Sequence, residues 1–273
     1  MTSSCFQCHY RTTIKSSKKT NKKRYYYYHY ASSSSSSNSN SAKVIETIAT
    51  NVLRLNLKTY QEIKVRVNSN DFEAIALGKL RAVTISGTNW QSRKDLTCER
   101  LQISVAGDEG VRIDYQSVLS GRIELRKPFA RGRAELFLTV DDFKNFLKHP
   151  LTKKSLDNLD FMFVTDSYPL VITEKKCLRL KAIMNSIEYE FTMRPSEDEE
   201  GNVDVLEIFS DDHGNEAEST TERSDRIKEF FETLELDLMG TKLSYSNMIV
   251  RENGIFLDLN VVVERFPPPI IDF

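Results

Sequence analysis

Cysteine is scarce, with four residues in 273, at Cys5, Cys8, Cys98 and Cys177. That excludes a disulfide framework. No run of about 18 apolar residues occurs, which excludes a transmembrane helix. No Asn-x-Ser/Thr sequon is present, so nothing points to glycosylation or the secretory route. The chain has no Gly-x-Ser-x-Gly, no His-Glu-x-x-His, no Walker A loop and no Gly-x-Gly-x-x-Gly. Only four histidines exist. His9 and His29 fall near the N-terminus, His149 at the end of a predicted helix, and His213 in an acidic stretch. Cys98 and Cys177 have no histidine nearby to activate them and read as inert thiols. Acids are plentiful but scattered, as on a solvated face. Nothing here argues for an enzyme, a metal centre or a cofactor. No internal repeat of fixed period is found.

What the chain does have is an uneven charge. The formal net charge is −1, but residues 1–45 contain eight bases and no acid, which leaves −9 for the remainder. A nucleic-acid binder normally carries its basic patch within the folded part, and this folded part is acidic.

Residues 1–41 combine Tyr25 to Tyr28, Ser32 to Ser37 and scattered Lys and Arg, with Ile14 as the lone aliphatic before Ala31 apart from Met1. Such a segment buries too little apolar surface to offset its ordering entropy. Basic, serine-rich and acid-free is the composition of an organelle transit peptide, and the apolar core of a secretory signal is missing. The serine content points to a plastid, with the mitochondrion second. Cys5-Phe6-Gln7-Cys8-His9 has the c-type haem attachment spacing, but no surrounding apolar sequence could wrap a haem. It reads as chance.

The body, residues 42–273, is predicted to be α+β. Residues 42–57 place Val44, Ile45, Ile48, Val52 and Leu55 at helical spacing, with Ser41 as N-cap. This stripe either packs on a sheet, the preferred reading, or lies on a membrane surface. Period-two alternation then takes over, through Ile63, Val65 and Val67, then Val83 and Ile85, then Leu101, Ile103 and Val105. It continues through Val111, Ile113 and Tyr115, Ile123 and Leu125, and Ala134, Leu136, Leu138 and Val140. The last runs are Leu178 to Ala182, Ile187 to Met193 and Ile255 to Val263. About nine half-buried, mostly antiparallel strands with one shared apolar face follow. Thr139 and Asp142 form a capping-box start for a helix carrying Phe143, Phe146 and Leu147, ending near His149-Pro150. Residues 222–239 put Ile227, Phe230, Phe231, Leu234 and Leu238 on one helical face, with Gly240 as the stop. Residues 196–225 hold twelve acids and one base and read as an acidic insertion with a short strand at 203–209. Asp211-Asp212-His213-Gly214 fits no EF-hand spacing and reads as a solvated loop.

Three blocks within residues 78–148 carry a resemblance. The first is Gly78-Lys79-Leu80-Arg81-Ala82-Val83-Thr84-Ile85-Ser86-Gly87. The second is Val118-Leu119-Ser120-Gly121-Arg122-Ile123-Glu124-Leu125-Arg126-Lys127-Pro128. The third runs from Ala134 through Thr139-Val140-Asp141-Asp142-Phe143 to Phe146-Leu147. In order and spacing they resemble the LmeA-like phospholipid-binding family. Val140 departs from its pattern, which usually has an acid there, and so does the acidic insertion. The resemblance implies a long, strongly curved, mostly antiparallel sheet wrapped around amphipathic helices, akin to the tubular lipid-binding fold. It also implies phospholipid binding without catalysis, and its cyanobacterial members agree with a plastid address.

The pattern independently demands that a long sheet with one apolar face either close on side chains or hold something apolar. Acyl chains of a phospholipid or other lipid are expected against Val83, Ile85, Leu101, Ile103, Leu136, Leu138, Leu257 and Leu259. Arg126, Lys127, Arg131 and Arg133, around Pro128, are the candidate phosphate contacts, against the alternative of a solvated turn. Transient contact with a membrane surface is compatible with this reading. The competing class is a protein-interaction or scaffold module with a filled core and the acidic loop as its contact surface.

Overall fold

The alternating runs become strands, and every pairing among them is antiparallel. The computed structural model describes residues 39–266, except 121, 128, 157–158, 166–170, 173–176, 196–202, 209–219 and 239. The N-terminal tail with its Cys-x-x-Cys-His, and most of the acidic insertion, lie outside the described residues.

Helix α1 (Asn40–Asn56) starts two residues earlier than its sequence pattern indicates. Its N-cap is Ser39, whose side chain accepts from the Ala42 N–H at 3.0 Å. Ser41 is not the cap. Its N–H and hydroxyl both donate to Asp71 Oδ1, at 2.9 and 2.6 Å, and these bonds hold the Asp71 carboxyl below the usual range. Asp71 begins α2 (Asp71–Leu77), so this contact ties the two helices together. Ala42, Ile45, Ala49 and Val52 form the buried stripe of α1. The helix lies on a sheet, as preferred over the membrane-surface alternative.

Eight strands form the larger, strongly curled sheet, a half-barrel. They are β1 (Leu57–Thr59), β2 (Glu62–Asn68), β3 (Lys79–Ser92), β4 (Thr97–Arg112), β5 (Ala130–Leu138), β11 (Glu235–Asp237), β12 (Thr241–Arg251) and β13 (Gly254–Val263). The order is β1-β3-β4-β5-β13-β12-β11, with β2 also paired to β3. The Val67 N–H on β2 donates to Glu46 Oε1 of α1 at 2.7 Å, so the helix satisfies a group that an edge strand otherwise exposes. Gly132 shows how tightly the sheet curls. A Cβ there would stand 2.1 Å from the Ser104 carbonyl oxygen of β4.

A second, five-stranded sheet contains β6 (Phe161–Val164), β7 (Val171–Ile172), β8 (Leu178–Met184), β9 (Ile187–Pro195) and β10 (Val203–Ile208). Among the described residues, thirteen strands in two sheets therefore replace the nine expected on one face. The runs at 57–59, 161–164, 171–172, 235–237 and 241–251 are too short or too polar to announce themselves. Ile123 and Leu125 form no strand, and Leu125 makes only a single bridge to Ile113. Val111 belongs to β4, while Tyr115 opens the short helix α3 (Tyr115–Leu119).

The capping box is realised at α4 (Val140–Lys148). Thr139 and Asp142 exchange side-chain and backbone hydrogen bonds, and Val140 is helical rather than the end of a strand. His149 caps α4 and precedes α5 (Pro150–Leu156). Its Nδ1 accepts from the Leu151 N–H, and its Nε2–H donates to the Lys94 carbonyl at 2.8 Å. This buried imidazole thus fastens α4 to the β3–β4 hairpin. The last helix, α6 (Thr220–Glu232), is shorter than the 222–239 expected. Residues 235–237 pair as β11 instead, and Gly240, at φ 99°, turns β11 into β12.

The interior has two parts. In one, α4, α6 and the second sheet cover β5, β13 and β12 with a core rich in Phe, Leu and Met. Phe230 is its hub, with ring centroids 4.8 Å from Phe231, 5.2 Å from Phe163 and 6.2 Å from Phe161. In the other, α1 faces β2–β5 across a smaller cluster that includes Ile45, Val65, Leu80 and Ile113.

Candidate functional site

Between α1 and the concave face of β2–β5 lies a cavity of about 250 Å³. Alternation places Val83 and Ile85 of β3, Leu101 and Ile103 of β4, and Leu136 and Leu138 of β5 on its wall. The cross-strand register stacks them, with Ile85 opposite Ile103 and Leu101 opposite Leu136. Val83, Ile85, Leu101 and Ile103 point inward yet are only half-buried, because the cavity withholds the contacts that would complete their burial. Ile45, Ala49 and Leu53 of α1 form the opposite wall.

The described lining contains no ionised side chain. Its polar residues apart from Cys98 are Ser92, Thr97 and Thr241. The first two are already engaged: Ser92 Oγ accepts from the Leu96 N–H, and Thr97 Oγ1 accepts from Asn145 Nδ2. A water needs about 10–15 Å³ of such space and roughly two to four polar partners. The space is ample and the partners are lacking, so hydrocarbon fits this cavity better than water. The volume falls just below the roughly 300–1,000 Å³ typical of ligand pockets.

Cys98 lines the same wall. Burial pushes its thiol up to about 12, helped by the negative charge of Asp142. At pH 8 the thiolate is then roughly one part in ten thousand, so the group is a poor nucleophile. We expect iodoacetamide at pH 8 to modify Cys98 at least about 100-fold more slowly in the native protein than in urea. Peptide mass spectrometry reads this directly, and equal rates would contradict the burial argument. Among the described residues no group of three or more His, Cys, Asp or Glu could hold a metal ion.

Six of the eight expected contact residues line the cavity. Leu257 and Leu259 do not. They face inward from β13, but that stretch of the sheet is covered by the other core, where they are buried to within 2%. None of the four basic candidates lines the cavity. Arg126 pairs with Asp114 at 3.0 Å, Lys127 Nζ stands 5.5 Å from the Phe129 ring centroid, and Arg131 and Arg133 are exposed on β5.

Sequence reasoning missed Trp90, the single tryptophan, which closes one end of the cavity. The cause is local. Asn89 adopts φ 52°, which shifts the inward parity from Ile85 and Gly87 to Trp90 and Ser92. The indole Nε1 donates to the Glu62 carbonyl at 2.8 Å and lies over Gly87, where a Cβ would stand 2.0 Å from Nε1. Gly87 closes the first sequence block, and this contact requires its lack of a side chain. Gly78 opens that block at φ 59°, with the Ile113 carbonyl oxygen 2.2 Å from where its Cβ would be. Leu80, Val111, Ile113, Ile123 and Leu125 form the other end of the cavity. The bulge between Leu80 and Ala82 hides Leu80 from a simple alternation.

A filled interior, as the scaffold alternative requires, is thus present around Phe230, while β2–β4 face the cavity, which Leu136 and Leu138 of β5, Leu243 of β12 and Val263 of β13 also line. Searches of curated proteins and of solved structures returned no match. The family model for LmeA-like phospholipid-binding proteins matches residues 41–260, from the first turn of α1 into β13. The chain belongs to the LmeA-like phospholipid-binding family.

Proposed function

We propose that this protein binds a phospholipid, or a related acyl lipid, by drawing hydrocarbon into the cavity between α1 and β2–β5, and does no chemistry on it. The wholly uncharged wall of that cavity is the observation that carries the reading. Each methylene moved from water into such a site contributes about 0.8 kcal/mol, so ten would supply about 8 kcal/mol before the costs of association. No ionised group on the described wall is available for acid–base work, and Cys98 is held neutral. Residues 39–273 purified from cells should carry extractable phospholipid in native mass spectrometry. A clean apo mass, with no uptake of added fluorescent phospholipid, would overturn the proposal.

Transfer between membranes is the activity that reversible binding of this kind serves, and a plastid is its proposed location. The location rests on the acid-free, serine-rich composition of residues 1–41. A fluorescent protein fused behind residues 1–45 should accumulate in plastids. Mitochondrial accumulation would move the address, and a diffuse cytosolic signal would remove it.

A further inference from the structure

A second apolar surface sits outside the cavity. Helices α2 and α3 occupy the same end of the large sheet. α2 leads through Gly78 into β3, α3 follows β4, and the Ile113 N–H donates to the Gly78 carbonyl at 2.7 Å between them. Each helix buries a single apolar residue. Ala74 of α2 and Val118 of α3 face inward and join the cluster that includes Leu80, Val111 and Ile113. Their other faces carry large apolar side chains, beside Asp71, which is bonded to Ser41, and Glu73, which is paired with Arg81. Phe72 is 72% exposed, Ile75 53%, Leu77 60% and Leu119 75%. Half of the eight large hydrophobic residues exposed among the described residues are gathered on these two helices.

The chain leaving α3 adds charge. Residues 120–133 contain Arg122, Arg126, Lys127, Arg131 and Arg133 against Glu124 alone, a net +4 within a body that is otherwise strongly acidic. Arg122, Lys127 and Arg131 are exposed. Ile123 and Leu125, between these bases, line the cavity. Exposed apolar tips, a basic collar and one end of the apolar cavity therefore coincide.

We propose that the α2–α3 end is a membrane-docking tip for bilayers containing anionic phospholipid, and that it sets the cavity end at Ile113, Ile123 and Leu125 against the lipid. Apolar side chains at the tip enter the acyl boundary, while the bases meet phosphate, the pairing that gives surface-bound proteins their affinity for anionic bilayers. The acidic remainder of the body would be repelled from an anionic surface, which fixes the orientation. This inference rests on the lipid-binding reading for the use of the cavity, but the docking itself is separable.

The test is co-sedimentation of the full chain with vesicles of 30% phosphatidylglycerol in phosphatidylcholine, and with phosphatidylcholine alone. Binding should favour the anionic vesicles and weaken as salt rises. The double variant Phe72→Ser/Leu119→Ser should bind at least tenfold more weakly, and Arg122→Glu/Lys127→Glu should lose the preference for anionic vesicles. Met162→Ser, which removes an exposed apolar residue from the second sheet, should change nothing. All these positions are on the surface, and an unchanged melting temperature confirms that folding is intact. Uptake of a fluorescent phospholipid delivered from ethanol, without vesicles, separates the two readings. Uptake without vesicle binding would overturn the docking tip alone, and vesicle binding without uptake would overturn the cavity alone. Equal binding by Phe72→Ser/Leu119→Ser and the parent would overturn the proposal. So would a dimer that this double variant dissociates, since a second copy would then cover the tip.

Discussion

Ile103→Trp is expected to abolish phospholipid uptake while leaving the melting temperature of the lipid-free protein within about 3 °C of the parent. Ile103 sits in the middle of β4, opposite Ile85 on one side and Ala134 on the other, and its side chain enters the cavity. In a filled interior the extra volume of an indole forces neighbours off their rotamers at roughly 1–3 kcal/mol. Here it has open space to enter, so the overpacking cost largely disappears. The same space is where hydrocarbon would lie, and ligand and indole cannot both occupy it. Gln102→Trp, on the exposed face of the same strand, is the control and should change neither quantity. A fall in melting temperature together with undiminished uptake would show that the lipid lies elsewhere.

That experiment was designable from sequence because the wall of the cavity was legible there. Period two placed Val83, Ile85, Leu101, Ile103, Leu136 and Leu138 on one face, and the structure puts all six on the cavity. Alternation assigns a face but not what covers that face. Leu257 and Leu259 obey the same rule as Leu136 and Leu138, and β13 pairs directly with β5. All four belong to the Phe-rich core, but Leu136 and Leu138 also border the cavity while Leu257 and Leu259 do not, a tertiary difference that no local pattern encodes. Trp90 and Leu80 were hidden for a different reason. A residue at positive φ and a bulge each shift the parity by one, and such shifts have no reliable signature in a single sequence. The missed strand β12 reads Thr-Lys-Leu-Ser-Tyr-Ser-Asn-Met-Ile-Val-Arg, and its register breaks between Tyr245 and Asn247. Its two halves therefore alternate out of phase, and neither is long enough to stand out.

The division of the interior into a filled part and an open part bears on how the molecule unfolds. Phe230→Ala is expected to lower stability by roughly 3–5 kcal/mol, the usual cost of emptying a buried phenylalanine site. Phe230 is fully buried and its ring meets Phe161, Phe163 and Phe231 in near edge-to-face geometry, which adds aromatic contact energy to the lost burial. For a domain of this size each kcal/mol moves the melting temperature by roughly 2–4 °C, so a fall of roughly 6–20 °C should be measured. Met162→Ala, 61% exposed on β6, should stay within about 0.5 kcal/mol of the parent. Trp90 makes the measurement more informative, because it reports from the wall of the cavity. Ile103 and Val263 pack against both hydrophobic clusters, and β5 passes beneath both. The cavity end of the sheet should therefore lose its order when the Phe-rich core does. Trp90 fluorescence and far-ultraviolet circular dichroism are expected to give one coincident urea transition, displaced to lower urea in Phe230→Ala. A Trp90 transition that stays in place while the dichroism shifts would mean that the cavity half folds without its neighbour.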